Sequence, residues 1–220
     1  MRILHSKKLI FISKPRCGST SVRRFLDSQM QEGDEKCDYG NEFPNMPELH
    51  PHMSAPAVHS YLCKKGVDVD KYTTFTITRH PVAMLWSYYN YFKPDVNYRY
   101  NYSPEYQSAQ LLDFSCWLKH GHVGIGLWRE FCPDFITGND FSPLSLEAHA
   151  NDKNNINLID KVFKLESLSE CEAWLGDFFD INVDIDAVNQ SDSTRMPKLS
   201  EELLDKVRSE FAVESILYKI

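Results

Sequence analysis

Three short runs rich in β-forming residues, each ending at a turn signal and followed by a helical pattern, leave this chain few architectures. "KLIFIS" (8–13), "YTTFTIT" (72–78) and "KVFKLE" (161–166) carry the branched and aromatic residues that suit a pleated, buried strand. After the first run, Val22, Phe25, Leu26 and Met30 fall at helical spacing and predict a helix from about Ser19. Ser54 reads as an N-cap, with Pro56 in the first turn of a helix to about Lys65, and Pro81 opens another after the second run. Further helices are expected over 106–120, 168–179 and 200–211. The polar stretches 31–52 and 133–158 read as loop. Strands alternating with helices predict an α/β fold of three layers, a central mostly parallel β-sheet flanked by helices. No repeat or linker interrupts the 220 residues, so one domain over 1–220 is expected.

Charge and cysteine usage narrow the function classes. A net charge of −7 argues against a general nucleic-acid binder, which needs a basic surface. An anionic ligand would therefore be held by a local pocket rather than by the overall field. The apolar part of the N-terminus, Leu9 to Ile12, is too short for a signal-peptide core, and no run approaches the roughly 18 apolar residues of a membrane span. Six scattered cysteines with no CxxC pair suit reduced thiols, which makes a cytoplasmic protein the expectation.

In an open parallel sheet, ligands bind outside the carboxyl ends of the strands. "SKPRCGSTS" follows the first strand and has the chemistry of an anion cradle. Gly18 permits a tight turn and close backbone approach, while the amides of Ser19, Thr20 and Ser21 would face outward at a helix N-terminus. Their hydroxyls add donors, and Arg16 adds a charge with bidentate geometry. The alternative is a Ser/Thr-rich turn that only caps its helix. The loop lacks the GxxxxGK[ST] pattern of a nucleotide-triphosphatase P-loop, and "YTTFTIT" ends without the acidic residue that Mg²⁺ would want. "TRHPVAMLWS" follows the second strand, with Arg79 and, eight residues on, Ser87. A helix starting at Pro81 would put Ser87 on its second turn, facing back toward Arg79, as a smaller anion site. A solvent-facing Arg79 and Ser87 is the alternative.

"KPRCGSTS" resembles the 5′-phosphosulfate loop of sulfotransferases that use 3′-phosphoadenosine 5′-phosphosulfate (PAPS), and "FTITRHPVAMLWSYY" resembles their 3′-phosphate motif. "HPHMSAP", "VFKLESL" and "AVNQSDS" agree in order, so the likeness to the soluble bacterial and carbohydrate-type branches spans about residues 8 to 218. The resemblance implies a P-loop-like sulfotransferase fold. It also implies sulfuryl transfer from PAPS, without a metal, to a hydroxyl (or, second, an amine) of a carbohydrate or small molecule. Neither nucleic acid nor a membrane enters as a partner. By the same resemblance Arg16, Cys17, Gly18, Ser19, Thr20 and Ser21 hold the phosphosulfate, Arg79 and Ser87 hold the 3′-phosphate, and Arg16 stabilises the leaving phosphate. His52 is the expected base, with His50 as competitor, because an imidazole titrates near neutrality. Glu166 is expected to support the site, and the segment 189–198 to bring Arg195 or Lys198 near the 3′-phosphate. Many members carry Lys where this chain has Arg16, and Lys14 is a nearby second cation.

Two other readings compete. "CGSTSVR" satisfies C-x5-R, the loop of cysteine phosphatases, with Cys17 as nucleophile and Arg23 as phosphate clamp. A non-catalytic module that keeps the fold and binds a nucleotide is the other. Tyrosines around 88–106 offer rings for an acceptor to stack on, although Tyr88, Tyr89 and Phe92 are expected in the core.

Overall fold

The structure, a computed structural model, describes residues 1–38, 51–91, 112–119, 144–186 and 195–220. These fall into two units, Met1–Thr78 with His149–Gln190 and Arg79–Ala148 with Ser191–Ile220.

The first unit carries a five-stranded sheet. Its strands are β1 (Arg2–Leu4), β2 (Leu9–Ile12), β3 (Glu35–Lys36), β4 (Thr73–Thr78) and β5 (Lys161–Lys164), in the order β3-β1-β2-β4-β5. β4 runs parallel to both β2 and β5, with Ile12 opposite Thr76 and Thr78 opposite Lys164. These are the three strands expected from sequence. The sheet is nevertheless mixed rather than mostly parallel: β1 pairs antiparallel with both β2 and β3. A three-residue strand that opens on an arginine gives no alternation to read. Arg2 is buried there because two carboxylates, Asp27 and Asp38, take its guanidinium.

Alternation along the central strands assigns the two faces. Leu9, Phe11, Phe75 and Ile77 point one way, onto Val22 and Leu26 of α1 (Ser19–Gln29). They also meet Cys171 and Leu175 of α6 (Leu168–Phe179). Phe75 lies 4.9 Å from Phe11 and 5.1 Å from Trp174, centroid to centroid, so aromatic rings fill this layer. Burial pushes the Cys171 thiol up to about 12, leaving it a packing group. On the opposite face Thr74 meets His59 of α2 (Ala55–Lys64) at 3.4 Å. Thr76 donates to the Ile12 carbonyl at 2.7 Å. α2 begins as expected, with Ser54 accepting the Ala57 amide and Pro in the first turn. Helices thus flank the sheet on both faces.

The second unit is helical among its described residues. α3 (Pro81–Tyr91) buries Trp86, Tyr88 and Tyr89, and α4 (Phe114–Lys119) buries Phe114 and Trp117. Trp86 stacks on Tyr89 at 5.6 Å, and the Tyr89 hydroxyl donates to the Leu112 carbonyl. Tyr88 and Tyr89 are therefore core, as expected. Of the helix expected over 106–120, only this last part lies within the described residues. α5 (Leu146–Ala150) sits where loop was expected, too short for a periodic signal. The final helix is two, α7 (Glu201–Glu210) and α8 (Ala212–Tyr218), broken where Phe211 takes φ −131° and ψ 56°. The break is stabilised from outside the helices, since the Glu147 carboxylate accepts the Val213 amide at 2.7 Å.

Candidate anion-binding loop

The loop that leaves β2 departs sharply from ordinary backbone. Arg16 and Gly18 take left-handed φ values of 58° and 71°, and Cys17 between them does not. Sign alternation of this kind turns successive amides toward one side, the geometry of a backbone anion nest. The left-handed region costs a non-glycine residue about 1 kcal/mol or more, so Arg16 is held there by its surroundings. Gly18 is also the N-cap of α1, with no side chain to satisfy the first-turn amides. A Cβ on Gly18 would lie 2.5 Å from Leu165 Cδ1, in the 3₁₀ turn after β5. That turn backs the loop and holds it against the sheet end.

The donors differ in detail from expectation. The Ser21 amide is bonded to the Gly18 carbonyl at 3.1 Å, because the first turn tightens to an i→i+3 bond, so it does not face outward. The amides of Gly18, Ser19 and Thr20 have no partner among the described residues. Ser13 Oγ, at the root of the loop, is fully buried and unpartnered among the same residues. Lys14 is fully buried, while Arg16 and Thr20 are half-buried. Cys17 is fully buried, so the loop offers its backbone there rather than its thiol.

His52 is brought to this loop across a long stretch of chain. Its Nδ1 lies 2.5 Å from the Ser13 carbonyl oxygen, and its side chain is buried. A carbonyl only accepts, so Nδ1 carries the proton, and in the neutral ring Nε2 holds the lone pair. The sequence named His52 from its place before α2 but gave no sign of this bond. The competitor His50 lies outside the described residues.

Arg79 and Ser87 belong to the second unit. Arg79 directly follows β4 and is half-buried, while Ser87 is buried on the second turn of α3, the turn expected for it. Glu166 is exposed in the 3₁₀ turn behind the loop, and Arg195 and Lys198 are exposed. Residues 189–194 of the 189–198 segment lie outside the described residues, as do Phe92 and the tyrosines at 98–106.

Sequence reasoning missed the role of Arg23. Its Nε donates to the Ser19 carbonyl at 3.3 Å, one terminal nitrogen to Thr20 Oγ1 at 3.3 Å and the other to Asp38 at 3.0 Å. Asp38 also takes two bonds from Arg2, at 2.8 and 3.0 Å. Burial works against the charged Asp38 carboxylate, yet Arg2 and Arg23 together hold its pKa below the ordinary value.

Among the described residues no helix is long and apolar enough to cross a membrane, and no group of three His, Cys, Asp or Glu is placed to hold a metal ion. No family model, no curated protein and no solved structure matches the chain.

Proposed function

We propose that this protein is a PAPS-dependent sulfotransferase that transfers a sulfuryl group to a hydroxyl of a carbohydrate or small-molecule acceptor. One observation carries the reading: a strained, glycine-hinged loop at the carboxyl end of β2 leaves three successive amides unpartnered among the described residues, with a tautomer-fixed histidine bonded to its root. The donor set fits an anion with several oxygens, because backbone amides, hydroxyls and a guanidinium can all donate to it. The buried Ser13 hydroxyl adds a further donor.

PAPS supplies the sulfuryl group and, in leaving, an adenosine 3′,5′-bisphosphate. The amides of Gly18, Ser19 and Thr20 and the Arg16 guanidinium bind the phosphosulfate and favour the charge that builds on the leaving phosphate. His52 Nε2 takes the acceptor's proton while the Ser13 carbonyl holds the ring in place and stabilises the imidazolium. Arg79 and Ser87 are assigned the 3′-phosphate from their resemblance alone. Cys17 contributes backbone.

The phosphatase alternative fares less well on this geometry. A nucleophilic thiolate needs access, and Cys17 is fully buried. Arg23 is committed to Asp38 and to the first turn of its own helix.

The test is thermal unfolding of the purified chain with adenosine 3′,5′-bisphosphate, with adenosine 5′-monophosphate as control. A ligand bound only by the native state raises the midpoint by mass action. A rise that needs the 3′-phosphate and is lost in Arg79→Ala is expected. No rise at millimolar ligand overturns the reading.

A further inference from the structure

Arg23 forms the end of a charge chain that begins in the sheet. Arg2, 2% exposed, grips Asp27 through Nε and one terminal nitrogen, at 2.5 and 2.9 Å. The same guanidinium grips both oxygens of Asp38. Asp38 in turn takes Arg23, whose side chain is 12% exposed. Arg23 also donates to the carbonyl of Ser19 and the hydroxyl of Thr20, both in the first turn of α1. Every link is a charge-assisted hydrogen bond or a planar fork, so the direction of the last bond is set by the buried first one.

The last bond has a chemical consequence. A threonine hydroxyl owns one proton and can accept as well as donate. A guanidinium only donates, so Thr20 Oγ1 accepts from Arg23 and its own proton turns elsewhere. Thr20 sits beside the unpartnered amides of Gly18, Ser19 and its own backbone, so an anion held there meets the hydroxyl as a donor. Without Arg23, a hydroxyl in this first turn is free to donate to nearby backbone carbonyls instead. Asp38 compensates the charge of Arg23, which leaves orientation as the contribution.

We propose that Arg23, anchored by Asp38, is a positioning residue that fixes the Thr20 hydroxyl as a donor to the anionic group of the bound nucleotide. This rests on the anion-loop reading and adds to it a residue that does not touch the ligand. An isothermal titration of the full chain with adenosine 3′,5′-bisphosphate, on native protein, Thr20→Val, Arg23→Gln and the double variant, tests it. Each single change is expected to weaken binding about tenfold, the worth of one charge-assisted hydrogen bond. The double variant is expected within about twofold of Thr20→Val, because contacts acting through one group are not additive. Arg23→Lys, which keeps the charge and loses the fork, is expected to behave as Arg23→Gln. Losses that multiply to about a hundredfold in the double variant overturn the inference, as does a ligand-free melting temperature that falls in step with affinity. Native protein that fails to bind overturns the anion-loop reading itself, and the inference with it.

Discussion

The two ends of β2 treat polar groups in opposite ways. At the amino end, His5, Lys8, Glu35, Tyr61, Lys65 and Tyr72 form one hydrogen-bonded network. His5 Nε2 donates to Glu35 at 2.8 Å, and its Nδ1 is hydrogen-bonded to the Tyr72 hydroxyl at 2.6 Å. Tyr61 and Lys65 complete the Glu35 carboxylate at 2.5 and 3.0 Å. At the carboxyl end, amides and a buried hydroxyl stand without partners among the described residues, and His52 Nδ1 donates to the Ser13 carbonyl at the root of the loop. Both regions are rich in donors, so polarity alone would not separate them. A saturated network contributes to the fold, whereas an unsaturated one costs free energy that a ligand can recover.

Substitution should split the two ends. The largest effect is expected from His52→Asn, whose amide nitrogen can keep the bond to Ser13 while Nε2 is lost. Sulfuryl transfer in a PAPS assay should fall by about 10²–10⁴-fold, with nucleotide affinity unchanged. Equal loss of affinity would remove the distinction between base and cradle. Next comes Gly18→Ala, which forces a left-handed residue and a clash with Leu165. Nucleotide affinity should fall more than about tenfold for a stability loss of about 1–2 kcal/mol, read by calorimetry and denaturant titration. Adding Leu165→Ala should relieve the clash but leave the backbone cost.

The smallest effect belongs to the saturated end. Glu35→Gln should cost about 1–2 kcal/mol of stability and leave nucleotide binding alone. Its pH signature is specific. Burial opposes ionisation of Glu35, but Tyr61, His5 and Lys65 hold its pKa below the ordinary value of 4.5. The carboxylate's stabilisation is therefore fully present above pH 4.5 and lost as pH falls through the lower folded value. The melting temperature of native protein should drop faster than that of Glu35→Gln over that window. Parallel curves would show that the network contributes nothing as a charge.

The central layer was legible because its signals are local. β2, β4 and β5 are dense in β-branched and aromatic residues, and Ser54 and Pro81 mark helix starts with their own chemistry. β1 and β3 were not legible, because three- and two-residue strands have no period, and Arg2 is buried only by virtue of Asp27 and Asp38 in other elements. The split of the last helix at Phe211 depends on Glu147, which no local pattern announces. At the site, Gly18 and the hydroxyl run were visible as a turn. The capture of the Ser21 amide, the His52–Ser13 bond and the Arg23 chain are tertiary facts, since each joins groups whose partners are fixed only by packing.

The contact between Gly18 and Leu165 also bears on the order of assembly. The loop is encoded near the start of the chain, but the side chain that backs it follows β5, the last strand to join the sheet in sequence order. During synthesis, strands β2 and β4 can pair while the loop still lacks its support. Closing so long a stretch carries an entropic cost that must be met before the loop gains its left-handed geometry. Nucleotide affinity should therefore be among the last properties to mature in refolding, later than the helical signal that α1 and α2 supply.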